Sequence, residues 1–311
     1  MSLLLDIRQP SWMTEHALAL RLQPHLPGVR ILCGPEDGPL DDVIMIAAAR
    51  LDPALVPRLP NLQLVQKLGA GVETMVGAAG LPNDVRIARL APKSMADEIT
   101  EYCLAYVLAG QRNLADHRSH AANRTWHQIA PRLREETTVA VLGLGHIGGK
   151  TARQFAQLGF RVIGWSRSSK DLPGVECRHG METLPGVLST ADHVCAILPS
   201  TPATRDLFGA ALLAHMKPGA QLINAGRGDL IVEADLLIAL GKGRPGHAVL
   251  DVFRTEPLPP DHAFWQHPQV TVTPHVSGWR VDDALTDVAE NYLRLRDGRT
   301  LLNEVHRGTG Y

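Results

Sequence analysis

Three short motifs carry residue types suited to reducing a carbonyl group: Asn224-Ala-Gly-Arg227-Gly-Asp, Leu250-Asp251-Val-Phe-Arg-Thr-Glu256-Pro-Leu-Pro and Thr273-Pro-His275-Val-Ser-Gly. Hydride transfer to a keto carbon leaves negative charge on the oxygen, which calls for a proton donor and a fixed cation nearby. His275 is the candidate donor. Glu256 beside it would favour the charged ring and hold its orientation. Arg227 offers a planar fork that can hold a substrate carboxylate at two points and polarise the carbonyl. Taken singly, each has a plainer reading: Arg227 as a surface ion-pair partner, Glu256 as a loop carboxylate, His275 as a solvated histidine. Their succession after three apolar, β-rich runs favours the joint reading. In a parallel α/β sheet the strand C-terminal ends open on one edge, where ligands bind.

Upstream lies Val139-Ala-Val-Leu-Gly143-Leu-Gly145-His146-Ile147-Gly148-Gly-Lys, a GxGxxG cluster directly after an apolar run and before a helical pattern. Gly143 allows the tight turn, Gly145 lets the backbone approach a pyrophosphate, and Gly148 allows close helix packing, while N–H groups around His146 and Ile147 open the helix toward phosphate. A residue reading the ribose is expected about twenty positions beyond the first glycine. The sequence there is Ser166-Arg167-Ser168, without an acid. An Asp or Glu would bind the 2′-hydroxyl of NAD, whereas Arg and Ser can take the 2′-phosphate of NADP. NADP (as NADPH) is therefore the expected cofactor, with NAD bound more weakly; the plain alternative is a solvated Arg167. Lys150 follows no GxxxxGK[ST] pattern, so nucleotide hydrolysis is not supported.

These motifs need strands to present them. From Thr137 onward, β-rich runs at Thr138 to Leu142, Arg161 to Trp165, Val194 to Leu198, Gln221 to Asn224, Ala248 to Val252 and Val270 to Thr273 alternate with helical patterns near Thr204 to Met216 and Glu233 to Gly241. The first third alternates likewise, with runs at Leu3 to Ile7, Val29 to Cys33, Val43 to Ala47 and Leu62 to Leu68, and a helix near Thr14 to Leu26. Such alternation predicts α/β architecture with parallel sheets flanked by helices. A helix is expected from about Ala96 to Asn113, then a polar connecting arm from Asp116 to Glu136, and a final helix from Asp282 to Arg296. His117 and His120 in the arm have helical spacing but no cysteine or carboxylate cluster, and no metal site is expected.

At 311 residues, two domains are the default. A formal net charge of -1 gives no general pull toward nucleic acid or anionic membrane. The four cysteines, Cys33, Cys103, Cys177 and Cys195, show no CxxC spacing and read as reduced core residues. The start, MSLLLDIRQP, lacks a signal-peptide core, and the longest apolar run, Val43 to Ala49, is too short to span a bilayer. A cytosolic (cytoplasmic) chain without membrane or nucleic-acid partners is the expectation.

The combination of Gly143-x-Gly145-x-x-Gly148, Trp165-Ser-Arg167, Gly226-Arg227-Gly228, Asp251-Val-Phe-x-x-Glu256-Pro-Leu-Pro, Trp265-Gln-His-Pro, Thr273-Pro-His275 and the ending Arg307-Gly-x-Gly-Tyr resembles the D-2-hydroxyacid dehydrogenase family over nearly the whole chain, closest to its glyoxylate/hydroxypyruvate reductase A branch. The resemblance implies a catalytic trio on Arg227, Glu256 and His275. It also implies that backbone N–H groups of Leu68-Gly69-Ala70-Gly71-Val72, at Ala70 and Gly71, hold the substrate carboxylate. Leu198, Pro199 and Thr204 would flank the cofactor and Asp251 would meet the nicotinamide carboxamide, with further cofactor contacts at Ala225, Gly226, Arg227, His275 and Ser277. Trp279 either lines the substrate pocket or packs beneath it.

The resemblance further implies a Rossmann-type NADP domain over 96–280, a discontinuous flavodoxin-like substrate domain over 1–95 and 281–311, and a homodimer. Glu73 stands where many members carry Asp, and Ala47 where the closest branch places a bulky aromatic residue. The expected reaction is NADPH-dependent reduction of a small 2-keto acid to the D-2-hydroxy acid. The alternatives are an NAD-dependent dehydrogenase for a larger acid and a dinucleotide-sensing scaffold.

Overall fold

The computed structural model describes residues 1–8 and 12–307, the side chain of Thr74 excepted. The ending beyond Arg307 therefore lies outside the described residues. The chain divides into two compact units, Met1–Met95 with the described residues from Arg280 onward, and Ala96–Trp279.

The first unit opens with β1 (Ser2–Asp6), α1 (Glu15–Leu22), β2 (Arg30–Cys33), β3 (Val43–Ala48), β4 (Leu64–Lys67), the short α2 (Glu73–Val76) and β5 (Arg86–Arg89). Leu3, Leu4 and Leu5 are all fully buried, as a strand covered on both faces requires. Alternate residues feed opposite cores: Leu3, Leu5 and Ala47 enter one cluster, Leu4, Ile46 and Val65 the other. The Thr14 hydroxyl accepts from the Ala17 N–H and caps α1. The sheet is parallel in the order β2-β1-β3-β4-β5, the flavodoxin-like order.

In the second unit α3 (Lys93–Gln111, entering the unit at Ala96) and α4 (Leu114–Ala122) precede β6 (Thr138–Leu142), α5 (His146–Gln157), β7 (Arg161–Ser166), β8 (Glu176–His179) and α6 (Leu184–Thr190). Then come β9 (His193–Ala196), α7 (Ala210–Leu213), β10 (Gln221–Asn224), α8 (Glu233–Gly241), β11 (His247–Leu250) and β12 (Val270–Val272). The order β12-β11-β10-β9-β6-β7-β8 is the doubly wound Rossmann order extended by one strand. The last helix, α9 (Thr286–Arg296), returns to the first unit, where Val288, Ala289 and Tyr292 join the core containing Leu3. The two parallel α/β sheets expected from the alternation are thus present.

Several expectations need correction. The stretch from Asp116 is not wholly an irregular arm, because α4 occupies its first part; none of its residues is buried, so no apolar period marked it. The edge strands β5 and β8 went unread: Arg86-Ile-Ala-Arg and Glu176-Cys-Arg-His carry charge, and each pairs on one side only within its sheet. The helix expected over Thr204 to Met216 shrinks to α7, because Phe208 instead bridges Ile231 in parallel fashion. The short α6, which lies between β8 and β9, was also unread. Of the four cysteines, only Cys103 and Cys195 are buried; Cys33 and Cys177 are partly exposed, and all four are free thiols. Among the described residues, no helix is long and apolar enough to cross a membrane.

Candidate active site

Strand register in the second unit sets a level edge. Trp165, Leu142, Ala196, Asn224, Leu250 and Val272 follow one another as paired residues across β7, β6, β9, β10, β11 and β12. One residue further on, ladder bonds continue from the N–H of Gly143 to Trp165, of Ala225 to Ala196, of Asp251 to Asn224 and of Thr273 to Leu250. The glycine turn and the three motifs carrying Arg227, Glu256 and His275 therefore emerge side by side on the C-terminal edge of one sheet.

The glycine turn fits a dinucleotide. Gly143 holds φ +100°, a conformation that favours glycine. A Cβ on Gly148 would lie 1.8 Å from the Gly143 carbonyl oxygen, so helix α5 can pack this closely only without one. Nothing lies within 4 Å of a Cβ built on Gly145, which leaves open space over the N-terminus of α5, with its 12 residues. His146 and Ile147 form its first turn, whose N–H groups and dipole suit a phosphate.

His275 and Glu256 meet at 2.7 Å between Nδ1 and Oε2. The second carboxylate oxygen, Oε1, accepts from the Phe253 N–H at 3.0 Å. Burial works against charge on Glu256, yet hydrogen bonds from His275 and Phe253, with the charges of His275 and Arg227, more than offset it and hold the carboxyl below its ordinary range. An ionised carboxylate only accepts, so His275 donates from Nδ1 and its Nε2 is left as the atom for proton exchange. The His275 side chain is about half exposed, at 50%. Its backbone sits at φ +55°, a left-handed conformation uncommon for a residue with a Cβ. Such strain persists only where surrounding bonds enforce it.

The Arg227 backbone is fixed by Asn224, whose Nδ2 donates to the Arg227 carbonyl at 2.9 Å and whose Oδ1 accepts from the Gly226 N–H at 3.1 Å. Arg227 itself is half-buried and donates to the Gly226 carbonyl.

Comparison with known proteins bears on this edge directly. Residues 104–277, more than half of the chain, match the family described as D-isomer specific 2-hydroxyacid dehydrogenase, NAD binding domain. The chain belongs to the D-isomer specific 2-hydroxyacid dehydrogenase family. Glyoxylate/hydroxypyruvate reductase A of Serratia proteamaculans is 37% identical over 274 residues, covering 84% of this chain and 88% of that protein. A D-isomer specific 2-hydroxyacid dehydrogenase from Xanthobacter autotrophicus, solved with NADPH and MES, superposes with a TM-score of 0.92 at 36% identity, covering 100% of this chain and 99% of that one. The NADPH-dependent glyoxylate/hydroxypyruvate reductase of Sinorhizobium meliloti, solved with NADP and sulfate, gives a TM-score of 0.90 at 32% identity, with 100% of both chains covered.

In this dehydrogenase, an oxidoreductase by family, the remaining expected residues fall as follows. Ser166 is buried at the end of β7, and its hydroxyl donates to the Ser168 carbonyl at 2.8 Å; Arg167 and Ser168 are exposed just beyond. Leu198 is buried, and the Thr204 hydroxyl donates to the Pro199 carbonyl at 2.6 Å while accepting from the Thr201 N–H, which closes the loop after β9. Ala225 is buried at the end of β10. Asp251 is fully buried: Oδ1 accepts from the Thr273 hydroxyl and the Val276 N–H, and Oδ2 from the Ser277 N–H. Trp279 is exposed, and its N–H donates to Glu98 at 2.7 Å.

In the first unit, Ala70 and Gly71 follow β4, and Arg89 donates to the Ala70 carbonyl at 3.2 Å. Asn224 and Thr273 lie within the sequence motifs but carry no expected role there, and Glu98 and Tyr102 lie outside every motif. An Asn two residues before a glycine is a turn signal that could have marked Asn224. Glu98 and Tyr102 carried no signal beyond sharing a helix face.

Proposed function

We propose that the chain reduces a small 2-keto acid, such as glyoxylate or hydroxypyruvate, to the D-2-hydroxy acid with NADPH. The observation that carries this reading is the His275 to Glu256 hydrogen bond on the same sheet edge as the Gly143 to Gly148 turn. NADPH, when bound, supplies the hydride that goes to the keto carbon. The residues proposed to hold it are Gly145, His146, Ile147 and Gly148 at the pyrophosphate, Arg167 and Ser168 at the 2′-phosphate, and Leu198, Pro199, Thr204, Ala225, Gly226, Asp251 and Ser277 along the edge.

His275 gives the proton from Nε2 to the carbonyl oxygen, converting it to the hydroxyl. Glu256 keeps the proton on Nδ1 and stabilises the charged ring before transfer. Arg227 holds the substrate carboxylate and draws electron density from the carbonyl. Residues 96–280 are proposed as the nucleotide domain, and 1–95 with 281–311 as the substrate domain, contributing the N–H groups of Ala70 and Gly71. The names of the Serratia and Sinorhizobium relatives support the substrate class, and the complexes of the Xanthobacter and Sinorhizobium relatives with NADPH and NADP support the cofactor. A homodimer is proposed as well; Trp126, 93% exposed, and the exposed Leu133 are apolar side chains a second copy would cover.

The test follows absorbance of the reduced nicotinamide with glyoxylate, hydroxypyruvate, pyruvate and larger 2-keto acids, each with NADPH and NADH. Rapid NADPH oxidation is expected with the small acids, and none with His275→Ala. Wild-type turnover in that variant removes His275 as donor. Arg167→Ala should weaken NADPH far more than NADH; equal loss for both would show that Arg167 does not read the 2′-phosphate.

A further inference from the structure

The loop from Thr273 to Trp279 carries His275 in a left-handed backbone conformation, and its hydrogen bonds lead away from the reacting groups to α3. The phenolic oxygen of Tyr102 lies 2.7 Å from the Thr273 hydroxyl, which lies 2.6 Å from Asp251 Oδ1. The direction of both bonds follows from proton counting. Thr273 has one hydroxyl hydrogen, and it donates that hydrogen to Asp251 Oδ1. Tyr102 must then donate to Thr273. Burial holds the Tyr102 phenol well above its ordinary range and outweighs its hydrogen bond with Thr273, so this donor keeps its hydrogen at any working pH.

Asp251 in turn grips the loop with every acceptor it has. Its carboxylate takes the N–H groups of Val276 and Ser277, and its carbonyl takes the N–H of His275 at 2.9 Å. One α-helical turn before Tyr102, on the same face of α3, Glu98 Oε2 accepts from the Trp279 N–H at the far end of the loop. Both ends of the His275 loop are thus held by residues four apart on one helix.

We infer that Tyr102, acting through Thr273 and Asp251, and Glu98, acting on Trp279, are positioning residues that hold His275 in its proton-donating alignment. Chained hydrogen bonds of this kind polarise one another, so removing the Tyr102 hydroxyl weakens the grip of Asp251 on Thr273 as well. Neither Tyr102 nor Glu98 is assigned to substrate or cofactor. This inference rests on the reading of His275 as proton donor.

The experiment compares Tyr102→Phe, Thr273→Val, Thr273→Ser and the Tyr102→Phe/Thr273→Val double variant with the wild type and His275→Ala. Each single loss of a hydroxyl should lower kcat for keto-acid reduction about tenfold, with NADPH affinity by fluorescence titration within about twofold of wild type. The double variant should be no slower than the slower single, because both break one chain. Thr273→Ser, which keeps the hydroxyl, should restore most of kcat. The pH at which the rate falls should stay put in Tyr102→Phe while the plateau drops, since alignment changes and not the titrating group. Wild-type kcat in Tyr102→Phe, or multiplicative losses in the double variant, would overturn the inference. A residue serving stability alone would lower the melting temperature and cofactor affinity together, which also counts against it. Should Tyr102→Phe fail to fold, the Val and Ser variants of Thr273 decide by themselves. If His275→Ala turns over like wild type, the proton-donor reading falls first; if that variant is dead and Tyr102→Phe is normal, only this inference falls.

Discussion

Asn224 and Arg227 are tied across the turn that ends β10: the buried Asn224 amide donates to the Arg227 carbonyl and accepts from the Gly226 N–H. The main chain of the proposed carboxylate-binding arginine is therefore set by the protein before any substrate arrives. Asn224→Ala takes a partner from each of these two backbone groups, at a cost of about 1–3 kcal/mol. A misplacement of roughly 1 Å at a reacting site can cost about 100-fold in rate. Asn224→Ala is thus expected to lower both the melting temperature and kcat/KM for the keto acid, by roughly 10- to 100-fold for the latter. Thermal denaturation and steady-state kinetics check this, and an unchanged kcat/KM would mean the turn does not place Arg227.

The hydrogen bond between Glu256 and His275 joins the proposed proton donor to a charged carboxylate. Burial raises the Glu256 carboxyl, but the hydrogen bonds from His275 and Phe253 and the charges of His275 and Arg227 outweigh it and hold the group below its ordinary value of 4.5. Glu256 is therefore ionised throughout the neutral range. Glu256→Gln keeps an acceptor for Nδ1 but removes the charge. Turnover in reduction at neutral pH should fall by about 10- to 100-fold. A kcat equal to that of the wild type would show that the carboxylate charge does not act on the donor.

The candidate trio and the glycine turn were legible because each follows an apolar run, buried in β6, β10 and most of β11 and partly buried in β12, after which polar residues are conspicuous. The level register from Trp165 to Val272 is what the alternation of strands and helices promised. Elements that bury little stayed hidden, as β8, with its exposed charges, and α4, with no buried residue, show. The supports of the site were beyond reach for a different reason. Tyr102 and Thr273 touch although 171 residues separate them, and no local pattern encodes that contact. Motif reading finds groups that do chemistry, whereas the groups that aim them are found by packing.

Two glycines of the same turn should respond oppositely to a methyl group. At Gly148 the Cβ would meet the Gly143 carbonyl oxygen at 1.8 Å, so Gly148→Ala forces β6 and α5 apart and should lower stability by about 1–3 kcal/mol. At Gly145 the backbone has negative φ and nothing stands within 4 Å. Gly145→Ala should leave the melting temperature near that of wild type yet weaken NADPH binding, because the methyl occupies the space the pyrophosphate would use. Melting curves with fluorescence titration of NADPH separate the two effects. Undiminished NADPH affinity in Gly145→Ala would place the cofactor elsewhere.

Acid should destabilise the second unit before its carboxylates titrate, because His193 is buried and His247 partly buried at the starts of interior strands. His193 at the start of β9 lies 2.9 Å from Gln221 Oε1, and His247 at the start of β11 lies 3.0 Å from the Thr271 hydroxyl. Burial lowers both below the ordinary value of 6.5, against the hydrogen bond to Gln221 Oε1 and the charge of Asp192 at His193, and against the charge of Asp116 at His247. The unfolded chain therefore binds more protons than the folded one just below pH 6.5. Stability rises with pH where that holds, so it is complete above pH 6.5 and is lost as pH falls toward the folded-state values. Each histidine contributes a slope of at most about 1.4 kcal/mol per pH unit. Melting temperatures measured between pH 8 and pH 5 should decline from about pH 6.5 downward, and His193→Gln should flatten that decline. A melting temperature constant over that range would show that these rings are protonated in the folded chain at no cost.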